Sequence, residues 1–168
     1  MPACARDAIK NYAEACTGGL LGHHITNVPG ASAAFAGGVL SYSDALKQKL
    51  LGVSDSTLAE HGAVSKPVAL GMAAGALEVS GADHALSVTG IAGPAGGTPE
   101  KPVGTVWLGL ASRGRRPLAI RKFHPFGREA VKREMLSGFT GWRPLEEAGW
   151  RTMCLRKFNH PKDCLLYT

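Results

Sequence analysis

Apolar residues recur at helical spacing between Val68 and Val79, with Leu70, Met72 and Leu77 between them. That spacing predicts the longest helix of the chain. Ser65 offers an N-cap hydroxyl, Pro67 is tolerated in the first turn, and Gly81 is placed to end the helix. Gly71, Ala73, Ala74, Gly75 and Ala76 keep one side slim and predict close packing on a sheet. Three strands are expected next. Ala85 to Thr89 is the first. Val103 to Ala111, almost continuously apolar, is the second and reads as central. Leu118 to Phe123 is the third, and Arg121 and Lys122 mark it as an edge strand. The six residues from Ser112 to Pro117 suit a hairpin connection.

The first half of the chain has shorter segments. Thr17 to Gly22 opens a short helix after a short strand or turn. Phe35 to Tyr42 reads as a buried strand. Ser43-Asp44 then caps a helix from Ala45 to Leu51, stopped at Gly52. Ser54-Asp55-Ser56 opens another helix through Glu60. Arg128 to Met135 supplies the last. Helices precede and follow strands, which predicts an α/β fold: a three-layer α/β/α sandwich around a mixed, mostly central sheet.

Composition narrows the class. The 168 residues are 45% apolar and 19% charged, the profile of one globular domain rather than a disordered chain. No apolar run approaches the ~18 residues of a membrane span, and Met1 to Asp7 lacks the apolar stretch of a secretory signal. The cysteines at 4, 16, 154 and 164 form no C-x-x-C pair. They read as reduced thiols of a cytoplasmic protein. His23 and His24 are adjacent rather than four apart, so no metal site is expected.

Charge divides the chain. Residues 1–112 carry 6 Lys/Arg against 8 Asp/Glu, and residues 113–168 carry 13 against 5. A basic end raises nucleic-acid contact as an alternative. It is disfavoured, because Trp142, Trp150 and Phe158 follow no spacing that would stack bases. Gly138, Gly141, Pro144 and Gly149 interrupt helical periodicity. The expected organisation is one domain over 1–137 and a divergent basic tail over 138–168, too short for its own core.

Two glycine-rich loops are candidates for chemistry, Cys16 to Gly19 and Thr89 to Pro99. Glycines let backbone N–H groups approach a ligand, and a helix start favours an anion. Neither loop matches a P-loop or a dinucleotide fingerprint, and two tight turns remain the simpler reading. Tyr42 and Lys47 flank a strand-to-helix junction and can converge on one pocket; an exposed lysine and a strand-end aromatic are the alternatives.

Several motifs in order resemble one family. They are Ala13-Glu14-Ala15-Cys16-Thr17-Gly18-Gly19, Val28-Pro29-Gly30-Ala31-Ser32, Gly37-Gly38-Val39-Leu40-Ser41-Tyr42-Ser43, Lys47 with Leu50-Leu51-Gly52-Val53, His61-Gly62-Ala63-Val64-Ser65, and Thr89-Gly90-Ile91-Ala92-Gly93-Pro94 through Val106. Together they resemble the C-terminal domain of the competence/damage-inducible protein CinA, also found as a free-standing nicotinamide-nucleotide amidase. The resemblance covers about residues 13–135.

It implies a reaction without a cofactor or metal: nicotinamide mononucleotide is hydrolysed at its carboxamide to nicotinic acid mononucleotide and ammonia, feeding NAD recycling. It also implies site residues. The family's serine nucleophile falls at Ala15, helped by Tyr42 and Lys47, with Ser32 as a further polar group. Substrate contacts would come from Cys16, from the N–H groups of Thr17, Gly18 and Gly19 as oxyanion donors, from Thr89 and Gly90, and from Arg128 on the phosphate. The partner is a small pyridine nucleotide, and a homo-oligomer is a candidate assembly.

Ala15 is the main departure, since a methyl group cannot attack. Three readings follow: an amidase scaffold with impaired chemistry, takeover by the Cys16 thiol, or a nucleotide-binding homologue without catalysis. Cys16 is disfavoured, because a shift of one residue points the side chain elsewhere.

Overall fold

The computed structural model describes residues 10–137. Their elements, in order, are β1 (Lys10–Glu14), α1 (Leu20–Thr26), a 3-10 turn (Ala31–Ala33), β2 (Phe35–Leu40), α2 (Asp44–Leu51), α3 (Asp55–His61), α4 (Lys66–Ser80), β3 (His84–Gly90), β4 (Thr105–Ser112), β5 (Leu118–Phe123) and α5 (Arg128–Ser137). The strands make one sheet in the order β2-β1-β3-β4-β5. β1 pairs in parallel with both β2 and β3, whereas β3–β4 and β4–β5 are antiparallel. The expected tail, 138–168, lies outside the described residues.

Alternation along the strands splits the core between two faces. Tyr12, Leu86, Val88, Val106 and Leu108 meet Leu21 and Ile25 of α1 and Val131 of α5 on one face. Ala13 and Ala85 meet Val68, Met72 and Ala76 of α4, Leu51 of α2 and Leu58 of α3 on the other. The result is the three-layer α/β fold that the pattern predicts. Ser43, Ser54 and Ser65 each accept an N–H three residues on, from Leu46, Thr57 and Val68 at 3.3, 3.1 and 3.4 Å, as the capping pattern requires.

Three expectations are sharpened or corrected. Of the short strand or turn expected before the Thr17 helix, the strand forms: β1 is five residues long and interior to the sheet. Lys10 and Glu14 are fully buried and Asn11 is 4% exposed. Polar residues survive there because the fold supplies partners. Asn11 Nδ2 donates to the Ala76 carbonyl at 3.1 Å. The Glu14 carboxylate accepts the N–H groups of Gly19 and Gly22 at 3.1 and 3.0 Å.

β2, expected to be buried, is instead an edge strand whose residues alternate between half-buried and exposed. Gly38 lies against the ring of Tyr12, which stacks on Phe35 with centroids 5.6 Å apart. The slim side of α4 also differs from expectation. Val68, Ala69, Met72, Ala73 and Ala76 are its buried residues, but Gly71 faces Val53 and Gly75 lies against the Leu51 carbonyl. The α4 glycines therefore admit α2 and the segment after it, not the sheet.

Candidate active site

β1, β2 and β3 run in the same direction, so their C-terminal ends emerge side by side. An open α/β sheet forms ligand crevices at such an edge. Here a cleft of about 260 Å³ opens there, lined by Ala15 and Cys16 after β1, Tyr42 after β2, and Thr89 to Gly93 at the end of β3. Asp44 and Lys47 of α2 and Arg128 of α5 complete its walls.

Each wall residue is held by a nameable contact. Lys47 sits in the first turn of α2 and is 2% exposed. Its Nζ donates to Asp44 Oδ1 at 3.0 Å and to the Tyr42 carbonyl at 3.2 Å. Tyr42 is 63% exposed, so its phenol stands at the mouth of the cleft. Arg128 Nη1 donates to the Gly93 carbonyl at 2.8 Å, and Nη2 reaches the Tyr42 hydroxyl at 3.5 Å. One guanidinium thus links α5, the glycine loop after β3 and the residue after β2. Thr89 Oγ1 donates to the Ala63 carbonyl at 2.8 Å and ties the turn before α4 to the cleft.

Ala15 is 6% exposed and belongs to the same face as Ala13 and Val68 while also lining the cleft. Its N–H is bonded to the Val88 carbonyl at 3.1 Å, which fixes the backbone at the strand end. Cys16 packs with Leu21, Val88 and Val106 on the opposite face. Burial pushes its thiol up to about 12, with the Glu14 carboxylate adding to the rise and Lys47 and Arg128 opposing it. A thiol so placed carries essentially no thiolate at neutral pH, and only the thiolate attacks. Its packing and its protonation both disfavour takeover of the chemistry by Cys16, although the residue reaches the same cleft.

The cleft brings together Ala15, Cys16, Tyr42, Lys47, Thr89, Gly90 and Arg128. It does not include Ser32, which lines a separate hollow with Thr26, Pro29 and Phe35 at the other end of β2. Six strand residues lie between Ser32's end and the cleft's end of β2, roughly 20 Å at the usual rise per residue. Nor do Thr17, Gly18 and Gly19 line the cleft. The Gly19 N–H, expected to await an oxyanion, is taken by Glu14, and the Gly18 N–H points to the Ala15 carbonyl at 3.4 Å. A buried carboxylate satisfies the positive end of a helix as an anionic ligand would. The Oγ1 of Thr17 and the Oγ of Ser41 are buried and have no hydrogen-bond partner among the described residues.

Sequence reasoning missed Asp44 as a wall of the cleft. The signal was present: an acid three residues before Lys47 on one helix face pairs with it. It also stopped at Gly90 in a loop whose Ile91, Gly93 and Gly96 reach the cleft. Among the described residues, no group of three or more His, Cys, Asp or Glu is placed to hold a metal ion. No helix among them is long and apolar enough to cross a membrane.

Comparison with known proteins gives this geometry a family. The profile of the CinA C-terminal domain matches residues 5–138. A nicotinamide-nucleotide amidohydrolase PncC of Enterobacter agglomerans is 53% identical over 71% of the chain and 73% of its own length. The protein of that name in Escherichia coli K12 is 47% identical over 77% and 79%. A CinA-like protein of Akkermansia muciniphila is 53% identical over 72% of the chain, which spans only 29% of that longer relative. Among solved structures, a CinA superfamily protein of Klebsiella pneumoniae superposes with a TM-score of 0.74 at 36% identity, covering 79% of this chain and 82% of that one. The domain profile spans most of the chain and the two amidohydrolase relatives are covered over more than two thirds of their length: the chain belongs to the CinA C-terminal domain family.

Proposed function

We propose that the cleft binds a nicotinamide nucleotide and is built for hydrolysis of its carboxamide, with the hydrolytic step impaired by alanine at position 15. The observation that carries this reading is the juxtaposition of the Ala15 methyl, the Lys47 ammonium, the Tyr42 phenol and the Arg128 guanidinium around one opening. The PncC relatives named above act, by their names, on nicotinamide nucleotides, and they supply the substrate class.

Amide hydrolysis needs a nucleophile, a proton for the departing amine and donors for the oxyanion. In the serine form of the family, an oxygen at position 15 would attack the carboxamide carbon. Lys47, anchored by Asp44 and the Tyr42 carbonyl, would as the free amine take the proton of that oxygen and hand it to the departing nitrogen, which leaves as ammonia; water then hydrolyses the acyl ester at residue 15 and frees the acid. The Tyr42 hydroxyl can donate to the oxyanion. Arg128 can leave the Gly93 carbonyl to pair with the nucleotide phosphate, a charge-assisted bond stronger than the neutral one it replaces. The acid product and ammonia would return the nucleotide to NAD synthesis in the cytoplasm.

With a methyl group at residue 15, the same walls still bind but only water can attack. Removal of a nucleophile elsewhere has cost on the order of 10⁶ in kcat, about 8 kcal/mol of barrier. A nucleotide-binding protein without turnover is the second reading, and the methyl itself favours it. Ammonia release from nicotinamide mononucleotide, measured alongside a thermal shift, separates the two. The chain as it stands should show a shift with little or no ammonia, and Ala15→Ser should raise release by several orders of magnitude. If Ala15→Ser folds, binds the nucleotide and releases no ammonia, the amidase reading fails.

A further inference from the structure

We propose that Ser41 is the positioning residue for the hydroxyl that a serine at position 15 would carry, and that its side chain is unbonded here because alanine removed its partner. The Ser41 side chain is fully buried, and its Oγ has no hydrogen-bond partner among the described residues. Buried hydroxyls are ordinarily bonded, so an orphan next to a candidate site calls for a cause.

The sheet register supplies it. Glu14 pairs with Leu40, and the Ser41 N–H donates to the Glu14 carbonyl at 2.8 Å. In a parallel ladder that bond makes Ser41 the neighbour of Ala15. Paired residues of adjacent strands share a face, and Val39, two residues before Ser41, packs on the face of Ala13 and Ala15. The Ser41 side chain therefore emerges on the same face as the Ala15 methyl, one strand spacing away, about 4.8 Å. Two hydroxyls that each extend from Cβ across that gap come within hydrogen-bonding distance. No register places Thr17, the other buried hydroxyl of this region, in the same way.

Ser41 also joins the strand end to Tyr42 and, through it, to Lys47. A bond from Ser41 Oγ would hold the oxygen at position 15 in one rotamer, aimed at the cleft rather than into the core. The catalytic part of this inference rests on the amidase reading above; the hydroxyl pairing does not.

Five proteins test it: the chain itself, Ala15→Ser, Ser41→Ala, the double variant, and Ser41→Thr in the Ala15→Ser background. Thermal midpoints are measured for the first four, with kcat and KM for nicotinamide mononucleotide for all five. In the chain itself, Ser41→Ala should raise the midpoint by about 2–4 °C, because it deletes an unsatisfied buried hydroxyl. In the Ala15→Ser background the same change should lower it, so the two effects are not additive. There Ser41→Ala should also cut kcat about tenfold with KM within twofold, the loss expected for one hydrogen bond. Ser41→Thr should restore kcat, since it keeps the hydroxyl. Additive midpoints overturn the pairing whatever the activity, and an unchanged kcat in active protein overturns the positioning role. Non-additive midpoints with no ammonia from Ala15→Ser support the pairing and sink the amidase reading instead.

Discussion

At the scale of single residues, Ala15 and Cys16 show how completely one position changes a side chain's chemistry. They are neighbours at the end of β1 and both reach the cleft, yet one packs with α2 and α4 and the other under α1. A strand end retains the two-residue alternation of the strand, so the Cys16 thiol and the Ala15 methyl leave the backbone on opposite sides. Two expectations follow for Cys16. Any residual ammonia release should survive Cys16→Ala, and iodoacetamide at neutral pH should label this thiol slowly in the folded protein and quickly in urea, as mapped by peptide mass. Its pH dependence has a definite sign. The folded thiol is raised from 9.0 to about 12, so the unfolded chain loses that proton first. Stability from this group is complete below pH 9 and declines as pH rises from 9 towards 12. Urea midpoints measured across that range should fall, and less steeply in Cys16→Ala.

At the scale of elements, the position of Lys47 depends on how closely α2 can approach α4. Gly75 permits that approach, because a Cβ there would collide with the Leu51 carbonyl at the end of α2. Helix propensity alone would favour Gly75→Ala by about 1 kcal/mol. Backbone crowding opposes it, and overpacking of this kind costs about 1–3 kcal/mol or more. We therefore expect Gly75→Ala to destabilise the protein in urea titrations and to weaken nucleotide binding by shifting α2. Gly71→Ala is the control: its Cβ would meet a Val53 methyl at 3.4 Å, an ordinary contact. A Gly75→Ala protein more stable than its parent would show that α2 is not held by that contact.

At the scale of the whole molecule, the cleft lies where three parallel strands end together, and Arg128 closes it from the far end of the chain. Among the described residues its hydrogen-bond partners are a carbonyl and a phenol, not a carboxylate. A phosphate can recruit it without breaking an ion pair among them. Arg128→Ala should weaken nicotinamide mononucleotide binding about tenfold in calorimetry, the loss of one charge-assisted contact, while shifting the unliganded thermal midpoint little. Binding of the nucleoside, which lacks the phosphate, should be insensitive to the same change.

Much of this was written locally. The serine caps at 43, 54 and 65, the stops at Gly52 and Gly81 and the charged edge of β5 act within a few residues, so their signals are readable along the chain. Ordered motifs also marked Tyr42, Lys47 and Thr89, which the fold gathers with Arg128 around Ala15. Tertiary structure alone decided the rest. β1 carries Lys10, Asn11 and Glu14 and has no apolar signature; it becomes interior because residues elsewhere supply donors and acceptors that water would otherwise provide. The same carboxylate occupies the helix start that seemed open to an oxyanion, and strand direction carries Ser32 to the wrong end of the sheet. Sequence by itself determined the helices and the strands other than β1, because hydrophobic period and capping are local. Which side chains share a cleft, and which polar groups are already satisfied, depends on pairings between distant segments, and only the assembled sheet settles those.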